Sequence, residues 1–182
     1  MVISFTGAQS TGKSTLFEKM KPNDRFRRFN YVPEITRNLR EKYNLEINEN
    51  GDDLTQLAIL NAHLENNLKY RGTNVILDRC ILDGLVYTTY LFYMKKVSSE
   101  VANYAEFLTK KLIENVDIIF YTEPDIPLKD DGVRSNNEEF RNTIVKLFEE
   151  AISFYNIDVV RLNGTVENRL DIIYNTFDKY GK

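Results

Sequence analysis

The chain has 182 residues, of which 42% are hydrophobic and 28% charged, and its 27 acidic and 24 basic residues give a net charge of −3. Domains commonly run to about 100–200 residues, so this length favours one domain, and the apolar content is too high for a disordered chain. The acidic balance excludes a generally basic nucleic-acid footprint, and no apolar run approaches the ~18 residues of a membrane span. We therefore predict a single domain over residues 1–182 that has no membrane partner.

Cysteine usage and the first residues indicate a reducing setting. Cys80 is the single cysteine, so the chain cannot form an intramolecular disulfide or a cysteine-based zinc site. Residues 1–5 lack the charged leader that precedes the apolar stretch of a secretory signal. We expect a cytoplasmic location.

Short apolar runs alternate with longer segments of helical period, which is the pattern of an α/β fold with a parallel sheet. The predicted strands cover residues 2–6, 30–32, 75–77, 117–121 and 157–162. Their continuous aliphatic character suits strands that helices cover on both faces. The predicted helices cover residues 14–20, 53–70, 81–94 and 99–115, and two more begin at Asn136 or Asn137 and after Thr165.

Three of the predicted helices carry apolar stripes at helical spacing. In the first of them Asp53 and Gln56 resemble a capping box, and its stripe consists of Leu54, Leu57, Ala58, Leu64 and Leu68. The next stripe consists of Phe140, Ile144, Leu147, Phe148 and Ala151. The last consists of Val166, Leu170, Ile173 and Phe177. We expect all three stripes to face the core.

The motif with the most specific chemistry is GAQSTGKS at residues 7–14, which matches the P-loop pattern G-x4-G-K-[ST] between a predicted strand and a predicted helix. Backbone N–H groups of such a loop converge on phosphate oxygens, and the following helix adds its positive N-terminal end. Lys13 would approach the β- and γ-phosphates, and the Ser14 hydroxyl would bind Mg²⁺. The residues predicted to bind ATP are Gly7, Gln9, Ser10, Thr11, Gly12, Lys13, Ser14 and Thr15.

Two further features separate this P-loop from hydrolases. GTPases of the Ras type carry an Asn-Lys-x-Asp motif, and this sequence has no Asn-Lys dipeptide. Motor and remodelling ATPases usually end their third-strand motif with Asp-Glu, whereas residues 75–79 read VILDR. A basic residue thus replaces the carboxylate that activates water, which favours phosphoryl transfer to an acceptor.

Acidic and basic residues follow the second and third predicted strands, at the edge where open α/β sheets bind ligands. Glu34 can accept the proton of an acceptor hydroxyl or bind a ribose. Its alternative role is purely structural, since a carboxylate in the first turn stabilises the positive N-terminal end of a helix. Asp78 can bind Mg²⁺ or orient the acceptor, and Arg79 can contact substrate or phosphate, unless the two form only a structural pair. Arg37, one helical turn beyond Glu34, is a weaker candidate for substrate contact.

The polar segment 122–136 is long enough to be a functional lid, and we place the lid region at about 122–141. Arg134 in this segment can close over the triphosphate and neutralise charge during transfer, and the alternative is a solvated loop arginine. Arg141 is a second candidate for the same role.

Other conspicuous residues have simpler interpretations. His63 and Cys80 are expected to be structural, since one histidine without a cysteine partner is a poor metal site. The recurrence of Tyr87, Tyr90 and Tyr93 is more typical of packing, although one of them could line an acceptor pocket. The basic residues Arg25, Arg27 and Arg28 are expected to be solvated, and they are the local feature that a nucleic-acid partner would use.

The order of these motifs resembles a known family. After the P-loop come VPE at 32–34, LDR at 77–79, PDIP at 124–127 and DGVR at 131–134. They resemble the small AAA-type ATPase/kinase family that includes the ribosylnicotinamide kinase domain of the bifunctional NAD-biosynthesis regulator. The segment 159–170 is similar to that family too, so the resemblance covers essentially the whole chain. It implies a three-layer P-loop NTPase fold of nucleoside/nucleotide-kinase type, with a five-stranded parallel sheet of order 2-3-1-4-5 and a helical lid.

The resemblance also implies an activity, which is MgATP-dependent phosphorylation of a hydroxyl on a small nucleoside-like acceptor. Residues 7–14 would bind the phosphates, Glu34 or Asp78 would bind the acceptor and take its proton, and Arg134 would be the lid arginine. A nucleoside-monophosphate kinase is an alternative, and so is a nucleotide switch that acts on a protein or nucleic-acid partner. A nucleic-acid partner is less favoured than a small acceptor, and both a monomer and a homodimer stay open.

Overall fold

The computed structural model describes residues 1–127 and 137–180, and in this part of the chain five parallel strands form one sheet of order β2-β3-β1-β4-β5. The strands are β1 Val2–Thr6, β2 Asn30–Val32, β3 Val75–Asp78, β4 Ile118–Thr122 and β5 Val160–Leu162. The predicted fold class and strand order are therefore confirmed.

The fourth and fifth strands begin later than predicted, and local hydrogen bonds explain both differences. Asp117 precedes β4, where its carboxylate accepts from the Val2 backbone N–H at 2.6 Å and its own N–H donates to Val2 O at 2.8 Å. The Ile157 N–H donates to Ile152 O at 3.0 Å, so this residue completes the preceding helix instead of starting the strand.

Seven α-helices connect and cover the strands in the described residues. They are α1 Lys13–Met20, α2 Ile35–Tyr43, α3 Asp53–Lys69, α4 Ile81–Tyr93, α5 Ser99–Leu112, α6 Glu138–Phe154 and α7 Val166–Tyr180. Helices α3 to α6 pack on one face of the sheet, and α1 and α7 pack on the other. No helix in this part of the chain has the length and apolarity that crossing a bilayer requires.

The stripes of α6 and α7 face the core largely as predicted. Phe140, Ile144, Leu147 and Phe148 are buried in α6, and Ile173 is buried in α7. The other predicted stripe residues of these helices are partly buried at the edges of the same clusters. On the α1/α7 side the core continues into the sheet, where the rings of Phe5 and Phe120 stack at a centroid distance of 5.5 Å.

The prediction for α3 is wrong in two respects. The N-cap is Asp52, whose carboxylate accepts from the Thr55 N–H at 2.8 Å, whereas the Asp53 carboxylate accepts from the Ser98 N–H at 2.7 Å, just before α5. Leu54 and Leu68 of the predicted stripe are 71% and 62% exposed. The fully buried residues are instead Thr55, Gln56, Ile59, Leu60 and His63, while Leu57 and Leu64 of the predicted stripe are partly buried against the core. Polar residues on this inward face hide it from an analysis of apolar periodicity.

The sheet brings the ends of its central strands to one edge. Phe5 of β1 pairs with Asp78 of β3 and with Phe120 of β4, and Val32 of β2 pairs with Leu77. Because all strands run in parallel, the loops that follow β1, β2, β3 and β4 leave the sheet at the same edge, and the P-loop, Glu34 and the Asp78-Arg79 pair lie at the ends of the first three strands.

Candidate functional site

The loop between β1 and α1 has a backbone that requires glycine at both of its motif positions. Gly7 has φ +130°, and an added Cβ would lie 2.7 Å from Thr122 Oγ1 and 2.9 Å from Thr122 O. Gly12 is the left-handed N-cap of α1, with φ +88°, and an added Cβ would lie 3.1 Å from Ile126 Cδ1. The first glycine thus lets the loop pack against the end of β4, and the second turns the chain into the helix.

Lys13, the first residue of α1, is almost completely buried against this loop. Its ammonium group donates to Gly7 O at 2.8 Å, to Ala8 O at 2.5 Å and to Thr11 Oγ1 at 3.2 Å. Burial, together with repulsion from Arg79, lowers the pKa of Lys13 to about 7. The side chain is therefore poised to gain a proton when an anion approaches.

Several buried polar atoms of the loop and its surroundings have no hydrogen-bond partner among the described residues. They include Gln9 Nε2, Ser10 Oγ and Asp78 Oδ1. Buried polar atoms without partners are rare in folded proteins, and a cluster of them indicates where a polar ligand binds. Thr15, by contrast, is exposed on α1.

The residues predicted to bind magnesium lie together. Ser14 Oγ donates to Asp78 Oδ2 at 3.0 Å, and Asp78 is only 4% exposed. Burial, with repulsion from Glu34, raises the pKa of Asp78 despite the opposing charge of Arg79. A hydroxyl oxygen, a carboxylate oxygen and a second carboxylate oxygen without a partner are the hard donors that Mg²⁺ prefers, so these residues fit the ion. No group of three or more His, Cys, Asp or Glu side chains in the described residues is arranged to hold a metal ion, so phosphate or water oxygens would complete the ligand shell of Mg²⁺.

A buried ion-pair network connects the loop to Glu34. Arg79 Nε donates to Glu34 Oε1 at 2.7 Å, and Arg79 Nη1 donates to Asp83 Oδ1 at 2.7 Å and to Gly7 O at 3.3 Å. Burial disfavours the charged guanidinium, but the surrounding carboxylates hold the pKa of Arg79 well above its ordinary value. Arg37 Nε lies 3.4 Å from Glu34 Oε2, so two arginines flank this carboxylate.

Arg79 itself has a strained backbone, with φ +85° in a region that non-glycine residues rarely adopt. Its N–H donates to Phe5 O at 2.9 Å, which ties the residue to the end of β1. Strain of this kind persists where surrounding contacts fix it, and it is common at functional sites. Here the conformation is accompanied by the contacts of the guanidinium with both the P-loop and Glu34.

Beside this network a cleft opens between α3, α4 and the start of α2. Its lining residues include Glu34, Gln56, His63, Arg79, Asp83 and Tyr87. Its empty volume is about 410 Å³ with its open mouth included. A larger cavity, with an empty volume of about 940 Å³ when its open mouth is included, lies at the opposite edge of the sheet, beside Met1 and Arg71, but no P-loop residue lines it.

The three tyrosines of α4 have different environments. The Tyr87 hydroxyl donates to Gln9 Oε1 at 3.2 Å, and the Arg79 guanidinium lies 5.6 Å from the centre of the Tyr87 ring. Tyr90 packs against Phe140 at a centroid distance of 4.7 Å, and Tyr93 is 62% exposed. Of the three, Tyr87 is the one that lines the cleft.

The predicted lid residues are only partly described. Arg134 lies outside the described residues. Arg141 is 7% exposed at the start of α6, its Nη2 donates to Ile126 O at 2.7 Å, and its buried Nε has no partner in the described part of the chain. Because Ile126 adjoins Gly12, Arg141 is linked to the P-loop through this residue.

The residues that were given simpler interpretations lie in different environments. Cys80 is buried, and burial raises the pKa of its thiol to about 12. Arg25 forms an exposed ion pair with Asp178, in which Nε and Nη2 each donate to a carboxylate oxygen at 3.0 Å. His63 is buried on α3, where burial lowers its pKa to about 4, so the ring is neutral.

A family model described as an AAA domain matches residues 2–169. The chain belongs to this AAA domain family. A search of curated proteins finds no match to the sequence of this AAA domain protein.

Several solved structures share the fold of this AAA domain protein. The NadR protein in complex with NR gives a TM-score of 0.76 at 20% identity, over 97% of this chain and 51% of that chain. Deoxyadenosine kinase from M. mycoides with bound dATP gives 0.69 at 20% identity, over 98% and 99% of the two chains. Thymidylate kinase from Candida albicans gives 0.68 at 15% identity, over 99% and 92%. The AAA domain protein thus has a P-loop kinase fold, and it spans about half the length of the NadR chain.

Two residues of this AAA domain protein were missed by the sequence analysis. Asp83 is buried and accepts from Thr6 Oγ1 at 2.7 Å and from the Cys80 N–H at 3.1 Å, in addition to Arg79. Its position four residues after Arg79 on the first turn of α4 is a signal that could have been noticed. Arg169 is completely buried, donates to Thr11 O at 2.6 Å and pairs with Asp125, so it connects α7 to both the P-loop and the segment after β4. No local pattern marks Arg169.

Proposed function

We propose that this AAA domain protein transfers the γ-phosphoryl group of ATP to a hydroxyl group of a small nucleoside-like acceptor, as a ribosylnicotinamide kinase does. The observation that carries the proposal is the bridge made by Arg79. Its guanidinium donates to Gly7 O in the P-loop and to Glu34 at the cleft, so one side chain joins a phosphate-binding loop to a carboxylate beside a cavity. A donor phosphate and an acceptor hydroxyl could meet at this junction.

On the donor side, the P-loop amides and the N-terminus of α1 would bind the triphosphate. Lys13 would leave its carbonyl partners for the β- and γ-phosphates and become fully protonated there. The buried Gln9 Nε2 and Ser10 Oγ atoms, which have no partner among the described residues, are available to the same oxygens. The transition state of phosphoryl transfer is loose, so positioning and charge neutralisation supply most of the catalysis.

Magnesium fits the pair formed by Ser14 and Asp78, whose oxygens lie 3.0 Å apart at the loop. The ion would neutralise charge on the β- and γ-phosphates. Because Asp78 accepts a hydrogen bond from Ser14, we assign magnesium binding to Asp78 and the role of general base to Glu34.

On the acceptor side, Glu34 would accept the hydroxyl proton as the oxygen attacks. Arg79 fixes one oxygen of this carboxylate and Arg37 lies near the other, so Glu34 is oriented before an acceptor binds. We also propose that Arg134 closes over the transferring group. That the protein is cytoplasmic, and that it forms a homodimer, are predictions from the sequence.

The proposal is tested by offering labelled ATP and Mg²⁺ to nucleosides, nucleoside monophosphates, nicotinamide riboside and oligonucleotide ends. We expect one nucleoside-like acceptor to be labelled far above the rate of transfer to water. Nucleotide binding without transfer to any acceptor would contradict the proposal and favour a nucleotide switch.

A monophosphate acceptor is the second candidate, because Arg79 and Arg37 together could bind a phosphate group. The Glu34→Gln variant separates the two, since a hydroxyl needs a base and a phosphate acceptor does not. For a hydroxyl acceptor we expect kcat to fall by about 10²–10⁴-fold, the usual contribution of general base catalysis. Glu41→Gln, at an exposed position on the same helix, is the matched control and should retain full activity. Near-normal turnover of Glu34→Gln would favour the monophosphate.

A further inference from the structure

Arg169 is completely buried in the first turn of α7, and backbone carbonyls supply most of its hydrogen-bond acceptors in the described residues. Its Nη1 donates to Thr11 O in the P-loop at 2.6 Å, and its Nε donates to Gly164 O at 3.1 Å. Its Nη2 donates to Glu123 O at 3.3 Å and also pairs with Asp125. One guanidinium thus connects the P-loop to the segments that follow β4 and β5.

Stability alone is a poor explanation for a charged side chain at this position. Removing a guanidinium from water is costly even when it is paired, and well-packed apolar residues often replace a buried ion pair without loss of stability. The same face of α7 shows this alternative, since Ile173, one helical turn further along, is buried in the apolar core with Leu162. The guanidinium of Arg169 provides what an apolar side chain cannot, which is a directed donor for a carbonyl of the P-loop.

The hydrogen bond to Thr11 O fixes the orientation of a whole peptide unit. The Thr11 C=O and the Gly12 N–H belong to one planar trans peptide, so they point in opposite directions. The Gly12 N–H is therefore directed away from Arg169, and it donates to no atom in the part of the chain that the structure describes. Because the N–H groups of a P-loop converge on phosphate oxygens, this N–H is held ready for the donor nucleotide.

The conformational freedom of Gly12 makes such a restraint necessary. Glycine populates more backbone conformations than other residues, so the peptide before Gly12 could turn over and present its carbonyl oxygen to the phosphates. Lys13 does not prevent this rotation, because its ammonium donates to Gly7 O and Ala8 O and not to Thr11 O. In the proposed function Lys13 also leaves these carbonyls when ATP binds, whereas Arg169 keeps its contact.

We propose that Arg169 is a positioning residue for the donor, which holds Thr11 O and so keeps the Gly12 N–H directed at the phosphates of the nucleotide. It acts through the peptide between these two residues and does not itself contact the nucleotide. The inference rests on the proposed function for the binding of a triphosphate in the loop, and it requires no acceptor. Loss of Arg169 should therefore weaken the binding of the donor and leave the binding of the acceptor unchanged.

The test compares wild type with Arg169→Lys and Arg169→Met. Lysine keeps the positive charge but lacks the planar guanidinium that reaches several acceptors at once. Arg161→Lys is the matched control, because this exposed arginine of β5 pairs with Glu123 and Glu149 and contacts no P-loop residue in the described part of the chain. Calorimetry measures the binding of inorganic tripolyphosphate with Mg²⁺ and of MgATP, and nuclear magnetic resonance measures the amide shift of Gly12.

We expect both Arg169 variants to weaken the binding of tripolyphosphate and of MgATP by the same factor, about tenfold, because a hydrogen bond to a charged group contributes at least this much. The KM for ATP should rise by that factor, while the KM for the acceptor stays within about twofold. In wild type the Gly12 amide proton should move downfield when tripolyphosphate binds, and this movement should be lost in the variants. All values for Arg161→Lys should match those of wild type.

The outcomes separate this inference from the proposed function. Folded Arg169 variants that bind tripolyphosphate as wild type does would overturn the inference and leave the kinase assignment intact. Weakened tripolyphosphate binding in the variants, with no transfer by wild type to any acceptor, would support the inference and contradict the proposed function. If neither variant folds, a crystal structure of wild type with Mg²⁺ and tripolyphosphate decides. We expect the Gly12 N–H on a phosphate oxygen and Thr11 O still on Arg169, and a reversed peptide would overturn the inference.

Discussion

The Asp83→Asn substitution tests whether the buried network around Arg79 is built as the structure describes. The carboxylate accepts three hydrogen bonds, from Arg79 at one oxygen and from Thr6 and the Cys80 N–H at the other. Asparagine has one acceptor oxygen, so in either orientation its amide group must face a donor. Removing one partner of a buried ion pair costs about 3–5 kcal/mol, and the lower end applies because Glu34 still pairs with Arg79.

We therefore expect the free energy of unfolding to fall by about 3 kcal/mol in Asp83→Asn. For a protein of this size that corresponds to a decrease in Tm of roughly 6–12 °C. Denaturant titration followed by circular dichroism measures the first quantity, and calorimetry measures the second. Glu106→Gln is the control, because it removes an exposed pair with Lys110 that is worth about 0.3–0.5 kcal/mol. Equal stability of Asp83→Asn and the control would refute the argument.

The remaining predictions concern the P-loop. Lys13→Ala should abolish transfer while the protein still folds, because the lost cation is one that burial disfavours; retained transfer at the wild-type rate would contradict its role. Because the pKa of Lys13 is about 7, roughly a tenth of this side chain is protonated at pH 8. The site should therefore take up close to one proton when MgATP binds at pH 8 and far less at pH 6, as calorimetry in buffers of different ionisation enthalpy would detect, and Lys13→Met should remove this uptake. Gly7→Ala should weaken ATP binding by more than tenfold, because its Cβ would lie 2.7 Å from Thr122 Oγ1, and unaltered binding would show that the loop adapts.

The sign of the Lys13 effect on stability follows from the same pKa. The ordinary pKa of a lysine side chain is 10.5, and the pKa of Lys13 in the folded protein is about 7. Between pH 7 and pH 10.5 the unfolded chain therefore binds more protons than the folded one. The contribution of Lys13 to the free energy of unfolding should therefore increase as the pH rises from about 7 towards 10.5. Comparing the pH dependence of wild type with that of Lys13→Met isolates this contribution.

The sequence predicts those parts of the fold and site that depend on local signals. The P-loop motif, the apolar strands and the Asp78-Arg79 pair at the end of β3 follow from short stretches of residues, and a parallel sheet then brings Glu34 and the P-loop to one edge. The stripes of α6 and α7 are predictable because their inward faces are mainly apolar, with Arg141 and Arg169 as the buried charged exceptions.

The parts that the sequence does not predict depend on tertiary partners. The inward face of α3 contains Gln56 and His63, and nothing local distinguishes such residues from solvated ones until α4 is placed against them. Arg169 is buried because Thr11, far away in the chain, supplies an acceptor for its guanidinium. The N-cap of α3 is Asp52 and not Asp53 because the latter is engaged by Ser98.

The most direct test of the central claim is a crystal structure of the protein with Mg²⁺ and a non-hydrolysable ATP analogue. The account predicts the triphosphate in the loop of residues 7–14, with Lys13 Nζ moved from Gly7 O and Ala8 O to the phosphate oxygens and the γ-phosphate directed towards Glu34. A nucleotide bound elsewhere, with the Lys13 contacts unchanged, would contradict it.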